Sequence, residues 1–217
     1  STHILSGKNK TYDTFTKYIS SDFRTIKASN PHEYIEFCWN SYETKCPKAA
    51  KTQSLNGKVF ENGKFVEKEV ATDGSFFAAD SGDGKEIDAA GCYVIPGLID
   101  IHFHGCAGVD FCDGIVEAMR HMAEYELQNG ITSIHPATMT LSEEELTTIS
   151  KAAKTFHEEQ KADETLLTKE AELVGIYMEG PFISMEKKGA QNPLYVHKPD
   201  AEMFRRLQKE ADGLYRV

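Results

Sequence analysis

The residues of this chain whose types and spacing best fit catalysis are two histidines and a glutamate. His102 and His104 stand two residues apart at the end of an apolar run. Because side chains alternate along a β-strand with a period of two, both imidazoles lie on one face if this run is a strand. Ile99, Ile101 and Phe103 then face the opposite way, as in a strand covered by helices on its outer side. Glu179, before a Gly-Pro pair, adds a carboxylate at the end of a later apolar run, and such a set can hold a divalent metal ion.

This ligand set leaves the identity of the metal open. Two histidines and one carboxylate with an open coordination position suit zinc, and equally iron or cobalt. A structural interpretation is also available, because a lone histidine more often belongs to the core and a glutamate before Gly-Pro can cap the following loop. The occurrence of His102, His104 and Glu179 together favours the metal centre, which would make water available as a nucleophile at neutral pH.

The elements that must position these side chains alternate between strand and helix after Pro96. We predict strands at 98–104, 131–137, 172–179 and 214–217, and helices at 115–128, at 142–160 and from a first turn at Pro199 to about 211. Ser142 and Glu145 form a capping-box pattern at the start of the second helix. Alternation of this kind is typical of a parallel sheet, so residues 96–217 are predicted to form an α/β domain. Glu179 then lies at the C-terminal end of its strand, where α/β barrels carry their catalytic groups.

The segment before Pro96 has a different pattern. Short alternating runs between 53 and 95 are separated by Asn-Gly and Asp-Gly pairs, at 56–57, 62–63, 73–74 and 83–84. Such pairs are turn and hairpin signals, so this segment is predicted to be a small antiparallel β module. Residues 1–52 are polar with no sustained period, and we assign them neither a fold nor a function.

Composition narrows the classes of partner. The net charge of −10 argues against nucleic acid, whose backbone is bound by clustered lysines and arginines. No run approaches about eighteen consecutive apolar residues and no signal-peptide pattern opens the chain, so a cytoplasmic protein without a membrane partner is expected. The five cysteines include no CxxC pair, which argues against a disulfide framework or a cysteine zinc site.

Several separated motifs resemble the N-acetylglucosamine-6-phosphate deacetylases of the amidohydrolase superfamily, over about residues 53–217. The motifs are Asn-Gly-Lys-Val-Phe at 56–60, Pro-Gly-Leu-Ile-Asp-Ile-His-Phe-His-Gly at 96–105, Asn-Gly-Ile-Thr-Ser at 129–133, Met-Glu-Gly-Pro-Phe at 178–182 and Lys-Lys-Gly-Ala-Gln-Asn-Pro at 187–193. The His-x-His pair alone indicates only the superfamily, whereas Glu-Gly-Pro followed by Lys-Lys-Gly-Ala indicates the deacetylase. The resemblance implies an α/β fold, with the first three to four strands of a (β/α)8 TIM-like barrel preceded by a small antiparallel β-sandwich.

The resemblance also implies a reaction and a set of partners. It implies a cytoplasmic, homodimeric hydrolase of amino-sugar catabolism, which converts N-acetylglucosamine 6-phosphate to glucosamine 6-phosphate and acetate. It makes His102, His104 and Glu179 the ligands of one or two divalent ions per subunit, and Ala190 a backbone contact to the phosphorylated sugar. Gln191 stands where many relatives carry histidine, which leaves its contact to the substrate open.

The resemblance covers only the N-terminal half of such an enzyme. The family's general acid/base, an Asp at a later strand end, is expected beyond Val217, and a barrel needs eight strands and about 250 residues. We therefore expect this chain to be truncated and inactive, or nearly so, by itself. Two other interpretations stay open: another amidohydrolase, such as a cyclic-amide hydrolase or a deaminase, and a non-catalytic metal-binding fragment. His135, on the second strand, is expected to line the pocket or the core rather than to bind metal.

Overall fold

The structure, a computed structural model, describes residues 23–30, 34–37, 52–73, 76–78 and 85–217. These residues divide into two compact units. The first contains the described residues up to Ile99 together with Glu126–Thr132 and Asp163–Ala171. The second contains Asp100–Tyr125, Ser133–Ala162 and Glu172–Val217, and all candidate site residues belong to it.

The first unit is built of strands. They are β1 (Phe23–Asn30), β2 (Tyr34–Phe37), β3 (Thr52–Leu55), β4 (Lys58–Glu61), β5 (Lys64–Glu67), β6 (Val70–Asp73), β7 (Phe76–Ala78), β8 (Lys85–Asp88) and β9 (Cys92–Pro96). Among the described residues they form a five-stranded sheet, β2-β1-β9-β4-β5, and a four-stranded sheet, β7-β6-β3-β8. A small core of buried side chains lies in this unit, formed by Val70, Ala89, Cys92 and Val94 with Val59 packed against them.

The Asn62-Gly63 pair makes the hairpin that the sequence predicts. Asn62 has a φ of 52° and Gly63 a φ of 79°, and β4 and β5 pair antiparallel on either side of them. Positive φ at both central residues is the conformation that matches the twist of a two-residue hairpin. The pair at 73–74 extends outside the described residues, and the pair at 83–84 lies outside them altogether.

The prediction of a purely antiparallel module is wrong. β4 pairs with β9 in parallel, and β3 pairs with β8 in parallel. In each case other strands separate the two partners along the chain, which leaves room for the return connection that a parallel pair needs. Strands β1 and β2 lie in the segment 1–52 that we left unassigned, and β1 pairs antiparallel with β9. The rest of that segment, except for Thr52 in β3, lies outside the described residues.

The remaining strands and helices alternate along the chain, and most of their residues lie in the second unit. Continuing the chain order, the strands are β10 (Leu98–Phe103), β11 (Gly105–Cys106), β12 (Val109–Asp110), β13 (Ile131–Pro136) and β14 (Glu172–Leu173). The helices are α1 (Val116–Gln128), α2 (Glu143–Ala162) and α3 (Ala201–Glu210). Strands β10, β13 and β14 form a sheet in that order, while β11 and β12 form a two-residue hairpin ladder.

The predicted parallel sheet is confirmed. The N–H of Ala137, just past the end of β13, donates to the carbonyl oxygen of Phe103, the last residue of β10. Strand β13 pairs with β14 in parallel. The strand predicted at 172–179 is shorter than expected, since it consists of β14 and isolated bridges beyond it. Parallel bridges join Ala137 to Tyr177 and Ile176 to Tyr215, so the sheet continues to the predicted fourth strand. The described fold is therefore α/β with part of a barrel.

The helix starts follow local capping. Ser142 Oγ accepts from the Glu145 N–H at 3.2 Å, and Glu145 Oε2 accepts from the Ser142 N–H at 2.9 Å, which confirms the capping box. The prediction that Pro199 lies in the first turn of α3 is wrong. Asp200 is the N-cap, because its carboxylate accepts from the amides of residues 202 and 203, and Pro199 therefore precedes the helix.

Apolar residues of β10 divide between core and surface. Phe103 is buried, whereas Ile99 and Ile101 are 60% and 61% exposed. The helical cover that we predicted for these two isoleucines is thus not seen in the described part of the chain. None of the described helices is both long and apolar enough to cross a lipid bilayer.

Candidate metal centre

The three residues singled out by the sequence converge on one point. His102 lies near the end of β10, His104 directly follows that strand, and Glu179 follows the bridge at Tyr177. Both imidazole Nε2 atoms lie 3.0 Å from the same carboxylate oxygen, Glu179 Oε2. The prediction that these side chains share one site is therefore met by the geometry, although their role as ligands stays a prediction.

Backbone interactions fix the two histidines. Asp100, a buried residue of β10, accepts a hydrogen bond from the His102 N–H through Oδ1 at 3.0 Å. The carbonyl oxygen of His104 accepts from the Phe111 N–H at 2.7 Å. Between these two residues the β11–β12 hairpin turns back so closely that a Cβ on Gly105 would lie 2.3 Å from Val109 O. Glycine is therefore required directly after His104.

The histidine rings have an aromatic neighbour. The His102 ring meets the Tyr177 ring edge to face, with centroids 4.5 Å apart and an interplanar angle of 77°. Tyr177 stands two residues before Glu179, so the period of a strand places the two side chains on one face. The same reasoning could have found Tyr177 from the sequence, where we overlooked it.

The donor set fits a divalent cation. Ligand atoms on one zinc ion lie about 2.0–2.2 Å from it, and hence roughly 3–4 Å from one another. The two distances from an imidazole Nε2 to Glu179 Oε2, both 3.0 Å, fall in this range. Without a cation, Glu179 Oε2 could contact both rings favourably only if both Nε2 atoms carried protons. A cation placed among the three ligand atoms would bind their lone pairs together. About a third of the surface of each of the three side chains is exposed, which leaves access for water or substrate. Among the described residues they are the group of three such ligands that lie close enough to share an ion.

The second carboxylate oxygen of Glu179 is held separately. Gln191 Nε2 donates to Glu179 Oε1 at 2.6 Å, and Gln191 Oε1 accepts from the Thr140 N–H at 2.7 Å. Gln191 is buried, with 5% of its surface exposed. Sequence reasoning placed Gln191 in a motif but did not predict this contact, because nothing local brings positions 140, 179 and 191 together.

The other candidate residues lie around this centre in different roles. Ala190 is exposed on the loop that ends at Gln191, where its contact to a sugar stays a prediction. Lys188 Nζ donates to the carbonyl oxygens of Gly189 and Gln191, at 3.1 and 2.9 Å, and so stabilises that loop. His135 is not in the ligand group; its ring lies against Gly175, where an added Cβ would approach His135 Nε2 to 2.7 Å.

Cys112 and the two aspartates near it have structural explanations. Asp110 caps the short 3-10 helix at 111–113, since its side chain accepts from the Cys112 N–H and its own N–H donates to Asp113. Burial, and then the negative charge of Asp110, raise the pKa of the Cys112 thiol to about 12. Cys112 thus stays protonated at neutral pH and is a poor metal ligand.

Comparison with known proteins identifies the family of this chain. Residues 93–217, more than half of the chain, match the amidohydrolase family. The chain belongs to the amidohydrolase family. It is 38% identical over 134 residues to an N-acetylglucosamine-6-phosphate deacetylase of Bacillus subtilis, a match that covers 61% of this chain and 33% of that protein. It is 33% identical over 124 residues to an N-acetylgalactosamine-6-phosphate deacetylase of Escherichia coli O157:H7, covering 56% of this chain and 29% of that protein.

The resemblance to the deacetylases extends to solved structures. The crystal structure of N-acetylglucosamine-6-phosphate deacetylase from Pasteurella multocida matches with a TM-score of 0.64 at 25% identity. That match covers 76% of this chain and 43% of the solved chain. The chain spans about a third of the length of the curated relatives that it matches.

Proposed function

We propose that this chain carries the metal centre of a hydrolase that removes the acetyl group from N-acetylglucosamine 6-phosphate. The observation that carries the proposal is the convergence of His102, His104 and Glu179 on one point at the C-terminal edge of a parallel sheet. The names of the relatives supply the substrate class. The expected cytoplasmic setting and the homodimer are parts of the same proposal, as is zinc, iron or cobalt as the metal, with one or two ions per subunit.

The chain's own residues bind and orient in this scheme. A divalent ion supplies Lewis acidity, which polarises an amide carbonyl and lowers the pKa of water. His102 and His104 would hold it as neutral imidazoles through Nε2, and Glu179 would contribute one negative charge. One carboxylate leaves the centre with a net positive charge, which keeps it electrophilic. Ala190, exposed on the neighbouring loop, is proposed to contact the sugar through its backbone.

The domain organisation belongs to the proposal as well. We propose that 53–95 is the β-sandwich module and that 96–217 is the N-terminal half of the amidohydrolase barrel. Support comes from the two sheets of the first unit, from the parallel sheet of the second, and from the likeness to a solved deacetylase.

A second candidate substrate is N-acetylgalactosamine 6-phosphate, because one relative bears that name. The two sugars differ only in the configuration at one ring carbon, and the acetamide is the same. The centre described above would therefore hydrolyse either amide, and the choice between them depends on contacts to the ring.

Metal content and acetate release test the proposal together. The chain is purified metal-free, titrated with zinc, and compared with His102→Ala and Glu179→Ala. His121→Ala is the matched control, since His121 is an exposed histidine of helix α1. Acetate release is measured with both phosphorylated sugars, and hydrolysis of dihydrouracil is measured beside it for the cyclic-amide alternative.

We expect zinc binding in the unaltered chain and in the control, and its loss in both site variants. Turnover of a sugar would contradict the inactivity expected above, but its loss in both variants would still assign the reaction to this centre. Zinc binding without turnover agrees with that expectation. A chain that binds neither zinc nor, in the same titration, iron(II) or cobalt(II) would overturn the proposal, and so would a chain that hydrolyses dihydrouracil in preference to the sugars.

A further inference from the structure

We propose that Gln191 is a positioning residue, which holds the Glu179 carboxylate in the orientation needed for metal binding and does not contact the substrate. The inference rests on the proposed metal centre and names a residue that supports it.

The orientation of the Gln191 amide is determined by its surroundings. Its Oε1 accepts from a backbone donor, the Thr140 N–H, at 2.7 Å. Its Nε2 faces an acceptor, Glu179 Oε1, at 2.6 Å. A flipped amide would set two donors against each other at Thr140 and two acceptors against each other at Glu179. The side chain therefore has one favourable arrangement, with its NH2 toward the carboxylate.

The two carboxylate oxygens of Glu179 have different partners. Oε1 of Glu179 is occupied by Gln191, while Oε2 faces both imidazoles. A hydrogen bond to a carboxylate is among the stronger ones, and here it prevents rotation that would exchange the two oxygens. Glu179 is thus presented to an ion through Oε2 with its conformational freedom already reduced.

The side chain of Gln191 offers little to a sugar. One amide hydrogen goes to Glu179, and Met139 Sδ lies 3.5 Å from Nε2 as the acceptor for the other. The carbonyl oxygen accepts from the Thr140 N–H, and burial of the residue restricts access to its second lone pair. A substrate that accepted from the amide would have to break one of these interactions.

The loop around Gln191 is folded to keep it in place. Its carbonyl oxygen accepts from Lys188 Nζ at 2.9 Å, and its N–H donates to the Lys188 carbonyl at 3.1 Å. The ring of His104 lacks support of this kind, because its Nδ1 is buried and has no hydrogen-bond partner in the described part of the chain. Gln191, by contrast, supports the orientation of Glu179 directly through a side-chain hydrogen bond.

The test compares two buried glutamines that differ in what they hold. Gln191→Met removes the amide at similar volume. The matched control is Gln160→Met, because Gln160 is also buried and its Oε1 accepts from a backbone amide, that of Leu173, at 2.9 Å. Zinc affinity is measured by competition with a chromophoric chelator at one pH. The visible spectrum of the cobalt-loaded chain reports the coordination, and melting temperature reports stability.

We expect Gln191→Met to bind zinc about 10–100-fold more weakly and to change the cobalt spectrum, as loss of a group that orients a ligand does. Gln160→Met should lower the melting temperature and leave both metal readouts unchanged. If Gln191→Met does not fold, Gln191→Asn replaces it, since its amide is one methylene too short to join Thr140 to Glu179; Gln160→Asn is then the control.

Unchanged zinc affinity in the Gln191 variants would overturn the inference, and so would equal weakening in the Gln160 control. An unaltered chain that binds none of zinc, cobalt(II) and iron(II) would overturn the metal centre and the inference with it. A chain that binds zinc but releases no acetate would bear on the proposed activity alone, and the comparison of the variants would still decide the role of Gln191.

Discussion

Replacement of Gly180 by alanine should reduce stability far more than the same change at Gly189. Both glycines have a left-handed backbone, with φ of 71° and 60°. An added Cβ on Gly180 would lie 2.0 Å from Thr140 Oγ1 and 3.0 Å from Thr140 Cβ, whereas one on Gly189 would meet nothing within 4 Å. The two substitutions therefore share a conformational cost and differ by a steric one.

The magnitudes follow from these two terms. A left-handed conformation costs an alanine about 1–2 kcal/mol, which is the whole expected loss for Gly189→Ala. Overpacking against a well-packed neighbour adds about 1–3 kcal/mol, so Gly180→Ala should lose about 2–5 kcal/mol. At about 2–4 °C per kcal/mol for a chain of this size, the melting temperatures of the two variants should differ by roughly 2–12 °C.

Urea unfolding followed by circular dichroism measures both losses on the full chain. Thr140→Ala in the Gly180→Ala background removes the atom at 2.0 Å and should recover part of the difference. Recovery should be incomplete, because Thr140 Cβ and Cα remain at 3.0 and 3.2 Å. Equal losses for the two glycines, or no recovery in the double variant, would refute the packing of Gly180 against Thr140.

Two further outcomes follow from the helices. Ser142→Ala should destabilise the chain by about 1 kcal/mol in urea unfolding through loss of the cap on α2, whereas Thr148→Ala, on the same helix beyond the cap, should leave stability nearly unchanged. The hydrogen bonds from Arg206 lower the pKa of Glu143 below its usual 4.5, so the unfolded chain binds more protons in that range and stability rises with pH. This contribution is present above about pH 4.5 and is lost as pH falls through the folded-state pKa. In Arg206→Ala, the fall in melting temperature at acid pH should therefore be less steep than in the unaltered chain. An unchanged fall would contradict this reasoning.

The grouping of the three candidate ligands could be predicted from the sequence because two simple regularities determine it. A period of two places His102 and His104 on one face, and parallel strands bring their C-terminal ends to one edge of a sheet. Glu179 then needed only a strand that runs the same way, which the alternation of strands and helices predicts. Each step depends on neighbours in the chain or on a rule that holds for most sheets.

The parts that escaped prediction depend on contacts distant in sequence. No local pattern places Gln191 between Thr140 and Glu179, residues that are 51 and 12 positions away. The parallel pairs β4–β9 and β3–β8 also escaped, because Asn-Gly signals report only hairpins between adjacent strands. The isoleucines of β10 show the same limit, since an apolar pattern indicates a surface that prefers burial and does not identify what covers it.

The candidate metal centre combines two kinds of support, and this difference affects how its proposed ligands respond to substitution. His102 and His104 are positioned through their backbones, by Asp100 and by the hairpin that begins at Gly105, so their placement is part of the sheet itself. Glu179 is positioned through its side chain, by an amide that is fixed in turn by the Thr140 N–H. Hydrogen bonds between side chains can be lost without unfolding a sheet, whereas strand geometry cannot. The Glu179 carboxylate is therefore the proposed ligand whose orientation can be altered by a substitution that leaves the fold intact.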